Sequence, residues 1–193
     1  MDGTMQKYLG DGLVYEAQLP LACEVVSEDD ITDRLQGASD RNQRLLQCLI
    51  ALDERGKESL DEDDERSAEL MRLEAKVDML LELVSGLVQQ NESVGESVNL
   101  KLGAEGVGWE VSESPFSIGQ QVWIHLQLDR RLPQALKLPA IISEISQQED
   151  GRWLYASFLD QGERFSDLLQ KVIFRHHRRQ VALLRAGQKQ GEA

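Results

Sequence analysis

The residues whose types and spacing could do chemistry gather near the C-terminal end of the chain. Arg175-His176-His177-Arg178-Arg179 sets the guanidinium groups of Arg175 and Arg179 four residues apart, so that on a helix they share a face. Guanidinium groups bind phosphates bidentately, and this pair, with Arg178 beside it, could clamp a diphosphate-like anion. The same cations would equally complement the negative C-terminal half of their own helix and pair with acidic helices. Arg130 and Arg131, at a turn between two apolar runs, make a second and weaker basic point. Adjacent His176 and His177 cannot point the same way on a helix. No third ligand stands at zinc-like spacing, so no metal is expected.

No catalytic constellation accompanies these residues. Gly-x-Ser-x-Gly, a phosphate loop, a dinucleotide fingerprint and a metalloprotease His pair are all missing, so the chain reads as a non-enzyme. Its charge sharpens the reading. The net −13 is unevenly shared: residues 1–110 hold 25 acidic and 10 basic side chains, residues 111–193 hold 9 and 11. Any anion site therefore belongs late in the chain, and an acidic chain is a poor binder of DNA, whose affinity rests on neutralising phosphates. An apolar share of 41% with 28% charged residues is that of a globular protein. No apolar run approaches the roughly 20 residues of a membrane-spanning helix, and the N-terminus lacks the pattern of a secretory signal. No membrane insertion and a cytoplasmic location are expected. Cys23 and Cys48 fit neither a disulfide framework nor a zinc site and read as buried free thiols.

Several elements must position these groups. Residues 1–37 form an N-terminal extended segment packed on the rest, with one or two short strands in LVYEAQLPLACEVV around Pro20. Residues 38–92 form a long helical hairpin. Its first helix is capped by Ser39 or Asp40 and carries an apolar face of Leu45, Leu46, Leu49, Ile50 and Leu52. Five acidic residues at 61–65 suit the positive N-terminal end of the next helix, and the EF-hand loop pattern is absent. In that helix Leu70, Leu73, Val77, Leu80, Val84 and Leu87 repeat at 3, 4, 3, 4 and 3 residues, a seam of nearly three heptads. Leu81, Leu83 and Val88 widen it beyond a two-stranded coil, so the seam asks for several neighbours: the first helix in cis and copies of the chain.

From residue 97 the period changes. Five apolar or alternating runs, 97–102, 106–111, 121–128, 136–145 and 153–158, are divided by Gly, Pro and charged turns, and read as a small antiparallel barrel over residues 97–160. Residues 161–187 form a C-terminal helix, capped by Ser166 and stopped at Gly187, with Leu168, Leu169, Val172, Ile173, Val181 and Leu184 as packing positions. Residues 188–193 are left as a disordered tail. The fold class is α+β.

Three stretches carry a family resemblance: VNLKLGAEGVGWEV, then PFSIGQQVWIHLQL, and the closing DLLQKVIFRHHRRQVALLR. With a long helical insertion ahead of five short strands, the chain resembles the atypical PilZ family of cyclic-di-GMP receptor type. The resemblance implies a PilZ-like β-barrel, long helices that assemble a homo-tetramer, cyclic-di-GMP as ligand with no cofactor, and an unidentified protein partner. Ordinary PilZ domains hold the dinucleotide with Arg-x-x-x-Arg before the barrel and Asp/Asn-x-Ser-x-x-Gly in its first strand. Here no Arg or Lys stands between Asp78 and Asn99. Of the second segment Asn99 is present, Lys101 replaces the serine, and Gly103 and Gly106 fall at other offsets. The candidate ligand contacts implied are Asn99, Lys101 as a point charge, nearby Trp109, and the basic groups Arg130, Arg131, Arg175, Arg178 and Arg179. Two functions follow: a receptor acting through its oligomer and protein contacts, or a scaffold that has lost the nucleotide.

Overall fold

Alternating inward and outward side chains build six strands, β1 (Tyr15–Val25), β2 (Ser97–Leu102), β3 (Gly106–Val111), β4 (Gln121–Leu126), β5 (Leu136–Gln148) and β6 (Gly151–Phe158). All pair antiparallel and close into a barrel in the order β1-β2-β3-β6-β5-β4. Helix α1 (Glu28–Arg55) lies between β1 and β2 in the chain, and α2 (Glu163–Gln190) follows β6. The computed structural model describes residues 7–55, 73, 76–77, 95–112, 115–129, 132, 134–148 and 151–190. The acidic run at 61–65, most of the seam, the hairpin's turn, Arg130 and Arg131 lie outside the described residues.

The barrel has one strand more than the five apolar runs after residue 97 suggest, because the N-terminal segment is part of its wall. Residues Tyr15 to Pro20 of β1 pair with β2, and Leu21 to Val25 pair with β4. The change of partner falls at Pro20, which has no N–H to offer a ladder. Its carbonyl accepts from the Gln127 amide at 3.1 Å, and the Leu21 amide donates to the Glu96 carbonyl at 3.0 Å. One strand thus closes the cylinder and removes both free edges.

Helix α1 starts at Glu28, so Ser39 and Asp40 lie inside it rather than at its cap. The Ser39 hydroxyl is used for docking instead, donating to the Gln161 carbonyl at 2.8 Å. Ala38, Asn42, Leu45, Leu46 and Leu49 form the buried stripe of α1 at helical spacing. Cys48 falls outside that stripe and is exposed, which corrects its reading as a buried thiol, and Cys23 is half-buried. Asn42, fully buried, completes the barrel where β6 ends. Its amide nitrogen donates to the Lys137 carbonyl at 2.7 Å and its amide oxygen accepts from the Lys137 N–H at 2.9 Å. A side chain here satisfies both backbone groups of a β5 residue that no strand reaches on that side. The same Asn42 nitrogen also donates to Gln161 Oε1 at 2.7 Å.

Helix α2 starts at Glu163, just after a turn in which the Gly162 amide donates to Asp160 Oδ1 at 2.7 Å, ahead of the cap expected at Ser166. It runs past Gly187 to Gln190. Phe165, Leu169, Val172 and Ile173 join Leu45, Leu46 and Leu49 of α1 and the inward side chains of the barrel in one apolar cluster. None of the described helices is long and apolar enough to cross a membrane.

Candidate functional site

On β2 the inward positions are Leu100 and Leu102, so Asn99 and Lys101 project from the outer wall. The strand register sets them beside particular neighbours. Lys101 lies between Glu16 of β1 and Gly108 of β3. Asn99 Nδ2 donates to Glu110 Oε2 at 2.7 Å. The Lys101 ammonium stands 4.5 Å from the centre of the Trp153 ring, a cation–π contact worth about 0.5–2 kcal/mol by burial. Both polar groups implied as ligand contacts are thus engaged within the wall. Glu16 and Glu110 on the same wall oppose the approach of a polyanion.

Trp109 is not on this surface. Its ring is 3% exposed, in the barrel core, at a register position between Leu100 and Leu154. The parity of β3 decides this: Val107, Trp109 and Val111 face in or towards the core, while Gly108 and Glu110 face out. Trp153 is the outward aromatic, 4% exposed, stacked with Tyr155 at 6.4 Å between ring centres. Sequence reading did not single out Trp153 for a site, because only the pairing of β3 with β6 carries it towards Lys101.

The glycines of the implied motif have a different use. The segment from Lys7 to Val14 lies over the β2–β3 turn, where the Glu105 amide donates to the Leu9 carbonyl at 3.3 Å. A Cβ on Gly103 or Gly106 would run into the backbone oxygens of Leu9 and Tyr8, so these positions admit only glycine. Tyr8 and Leu9 then cover Tyr155, and a small second core forms outside the barrel.

The basic cluster sits in the second half of α2. Arg175 Nη1 donates to the Ile50 carbonyl of α1 at 2.7 Å. His176 stacks on Tyr15 at 4.6 Å between ring centres, and Gln180 Nε2 donates to the Glu16 carbonyl at 2.7 Å. Burial pushes the Tyr15 phenol above its ordinary value of 10.0; nearby Arg179 pulls it down and Asp129 pushes it up. The Arg178 guanidinium is 5.8 Å from the centre of the exposed Phe174 ring. Arg175 and Arg179 share a helical stretch as the spacing predicts, yet one reaches α1 and the other lies by β1. Among the described residues no group of three His, Cys, Asp or Glu side chains is placed to hold a metal.

Of the seam, Leu73 and Val77 are described; both are helical and exposed, at 58% and 38%. Leu70, Leu80, Val84 and Leu87 lie outside the described residues.

Three comparisons bear on this architecture. Residues 46–186 match the family model described as "Atypical PilZ domain, cyclic di-GMP receptor". Among solved structures, the chain is similar to a pathogenic protein from Xanthomonas campestris, described as a tetrameric PilZ domain self-assembled via an unusual helical bundle. Identity is 25%, the match covers 94% of this chain and 99% of that one, and the TM-score is 0.72. A second match is the PilZ domain of YcgR from Escherichia coli with c-di-GMP, at 19% identity, 42% of this chain, 72% of that chain and a TM-score of 0.35. No curated protein matches. The family match runs from inside α1, through strands β2 to β6, to residue 186 of α2 beyond the basic cluster, and the chain belongs to the atypical PilZ domain family of cyclic di-GMP receptors.

Proposed function

We propose that this protein is a non-enzymatic, cytoplasmic signalling protein of cyclic-di-GMP receptor type that works as a homo-oligomer, four chains being the preferred count. The observation that carries the reading is the span of the family match, residues 46–186, which includes the positions of the expected seam together with strands β2 to β6 and most of α2. The likeness to a tetrameric PilZ protein supports the count, and the exposed Leu73 and Val77, one helical turn apart, support assembly through the seam. Two free cysteines, Cys23 and Cys48, suit a reducing compartment. In this reading the dinucleotide meets the α2 cluster, Arg175, Arg178 and Arg179, or a junction between subunits. Arg130 and Arg131, between β4 and β5 in the sequence, contribute as well, and the signal passes to another protein through a changed oligomer surface.

Calorimetry with the intact protein tests the receptor half. Cyclic-di-GMP gives heat at micromolar concentration, and the Arg175→Ala/Arg179→Ala variant gives none. Light scattering tests the assembly half. Leu80→Asp with Leu87→Asp lowers the measured mass, and an unchanged mass rules out a seam-driven oligomer.

A specific observation favours a second reading, a scaffold without nucleotide binding. Asn99 is hydrogen-bonded to Glu110 and Lys101 sits on Trp153, so the wall that ordinary PilZ domains offer to the dinucleotide is occupied by the chain's own contacts. Absence of heat in the intact protein selects this reading.

A further inference from the structure

The outer wall where β3 meets β6 carries a small core of its own. Trp153 and Tyr155 face outward from β6, yet they are 4% and 0% exposed, because Tyr8 and Leu9 of the segment from Lys7 to Val14 lie on them. This cluster is separate from the apolar core inside the barrel. The Tyr155 ring crosses its β3 partner Gly108, where a Cβ would strike it, and Gln148 Nε2 donates to its hydroxyl at 2.7 Å. The Tyr8 ring stands 6.2 Å from that of Tyr155, centre to centre. The three atoms nearest to a Cβ placed on Gly103 all belong to Leu9. The wall thus forms a seat for this segment's backbone as well as for its side chains.

Few bonds hold the segment there. Among the described residues, one backbone hydrogen bond joins it to the barrel, from the Glu105 amide to the Leu9 carbonyl, and at 3.3 Å it is longer than usual. Open clefts flank it, one of 280 Å³ beside Lys7 and Tyr8 and one of 510 Å³ beside Gly12 and Leu13. Leu13 and Phe174, on the larger cleft, are 42% and 49% exposed. Gly10 follows the anchor at φ +87°, and a Cβ there would press on the Glu105 side chain, so a glycine is required after Leu9. The grip is concentrated on Tyr8 and Leu9, and an attachment this local opens without the barrel.

We infer that this seat is a peptide-binding groove, filled in cis by residues 7–14, which give way to a segment of a partner protein with the same pattern: an aromatic residue, a large aliphatic one, then glycine. The cis occupant defines the chemistry. Its ring packs on Tyr155, its aliphatic side chain fills the space beside Trp153, its carbonyl meets the Glu105 N–H, and its glycine takes the left-handed turn. Tethering supplies the cis segment at an effective concentration of roughly millimolar, so it excludes weak competitors and yields to a tighter partner. The inference does not depend on the receptor reading, because none of these residues belongs to the basic cluster of α2.

The test uses the full-length protein and a fluorescent peptide of residues 7–14, Lys-Tyr-Leu-Gly-Asp-Gly-Leu-Val, followed by anisotropy. Leu9→Asp in the protein expels the cis segment. The peptide then binds at least about tenfold tighter than to the parent, whose groove is open about 10% of the time or less. Leu9→Ala, a milder change, shifts the affinity in the same direction and controls for folding. Gly103→Ala fills the seat, and combined with Leu9→Asp it abolishes binding, as does Leu9→Asp in the peptide. Hydrogen exchange supplies the second readout: Leu9→Asp quickens exchange of the Glu105 amide and leaves the β3–β6 ladder unchanged. Equal affinity in parent and Leu9→Asp, binding that survives Gly103→Ala, or quickened exchange of the ladder together with Glu105 overturns the inference. A rise in the mass of the Leu9→Asp protein by light scattering, without peptide binding, assigns the groove to a second copy and overturns the partner. Heat from cyclic-di-GMP, or its absence, bears on the receptor reading alone.

Discussion

From Phe165 to Ile173, α2 lays Phe165, Leu169, Val172 and Ile173 on the barrel and α1, each at most 3% exposed. From Phe174 to Gln180 the same helix is held by directional contacts: Arg175 to the Ile50 carbonyl, His176 on Tyr15, and Gln180 to the Glu16 carbonyl. The first half is anchored by area removed from water, which is non-directional and shared with the whole core. The second half is anchored by single bonds at the protein surface, each worth about 1 kcal/mol net. A helix so divided has an end that can be released without unfolding the core. The half that carries Arg175, Arg178 and Arg179 contains no fully buried apolar side chain among the described residues, so it is the half expected to open first.

The largest expected effect breaks the strong half. Leu169→Ala removes a fully buried side chain and lowers unfolding free energy by about 2–5 kcal/mol, read by chemical denaturation. A loss under about 1 kcal/mol would show that the first half is not anchored by packing. Next is Asn42→Ala, on the α1 side of the same junction. It strands the Lys137 N–H and carbonyl and costs about 1–3 kcal/mol, with faster amide exchange at Lys137 as its local mark. Arg175→Ala tests the weak half. It costs about 1 kcal/mol, and hydrogen exchange quickens over residues 174–182 while residues 165–173 keep their protection. Equal loosening of both stretches would erase the contrast.

The smallest effect concerns pH and the strand beneath that weak half. Burial pushes the Cys23 thiol from the ordinary 9.0 to about 12, with Glu24 adding to it, and burial also raises Tyr15. Both groups keep their protons longer in the fold than in the unfolded chain. The stability they contribute is therefore complete below about pH 9 and is lost as pH rises through their folded values. At pH 10 the expected loss is about 1 kcal/mol. Cys23→Ala together with Tyr15→Phe flattens it, and a profile as steep in that variant as in the parent would assign alkaline unfolding elsewhere.

Several features were open to the sequence because they depend on local periodicity. The helical stripe through Leu45, Leu46 and Leu49 and the packing positions Leu169, Val172 and Ile173 follow from 3.6-residue spacing, and both are buried. The strands after residue 97 follow from alternation and from turn residues. The place of β1 in the barrel was not visible in this way, because Pro20 and imperfect alternation allow one or two short strands without saying what they pair with. Its two successive partners make it one strand of the barrel wall. Cys48 shows the same limit: an apolar neighbourhood in sequence says nothing about which side of the stripe a residue occupies.

By itself the sequence determined an α+β chain with a helix ahead of the five strands after residue 97, a basic C-terminal helix and the departures from the ordinary ligand motif, all properties of residue type and spacing. Tertiary structure alone decided what those residues do. Strand pairing set Asn99 against Glu110 and Lys101 on Trp153, and the parity of β3 put Trp109 in the core. Helix packing sent Arg175 to the Ile50 carbonyl. The physical reason is that spacing along a chain fixes which residues share a face, while a partner 95 positions away, such as Lys137 for Asn42, is chosen only when separate faces are packed together.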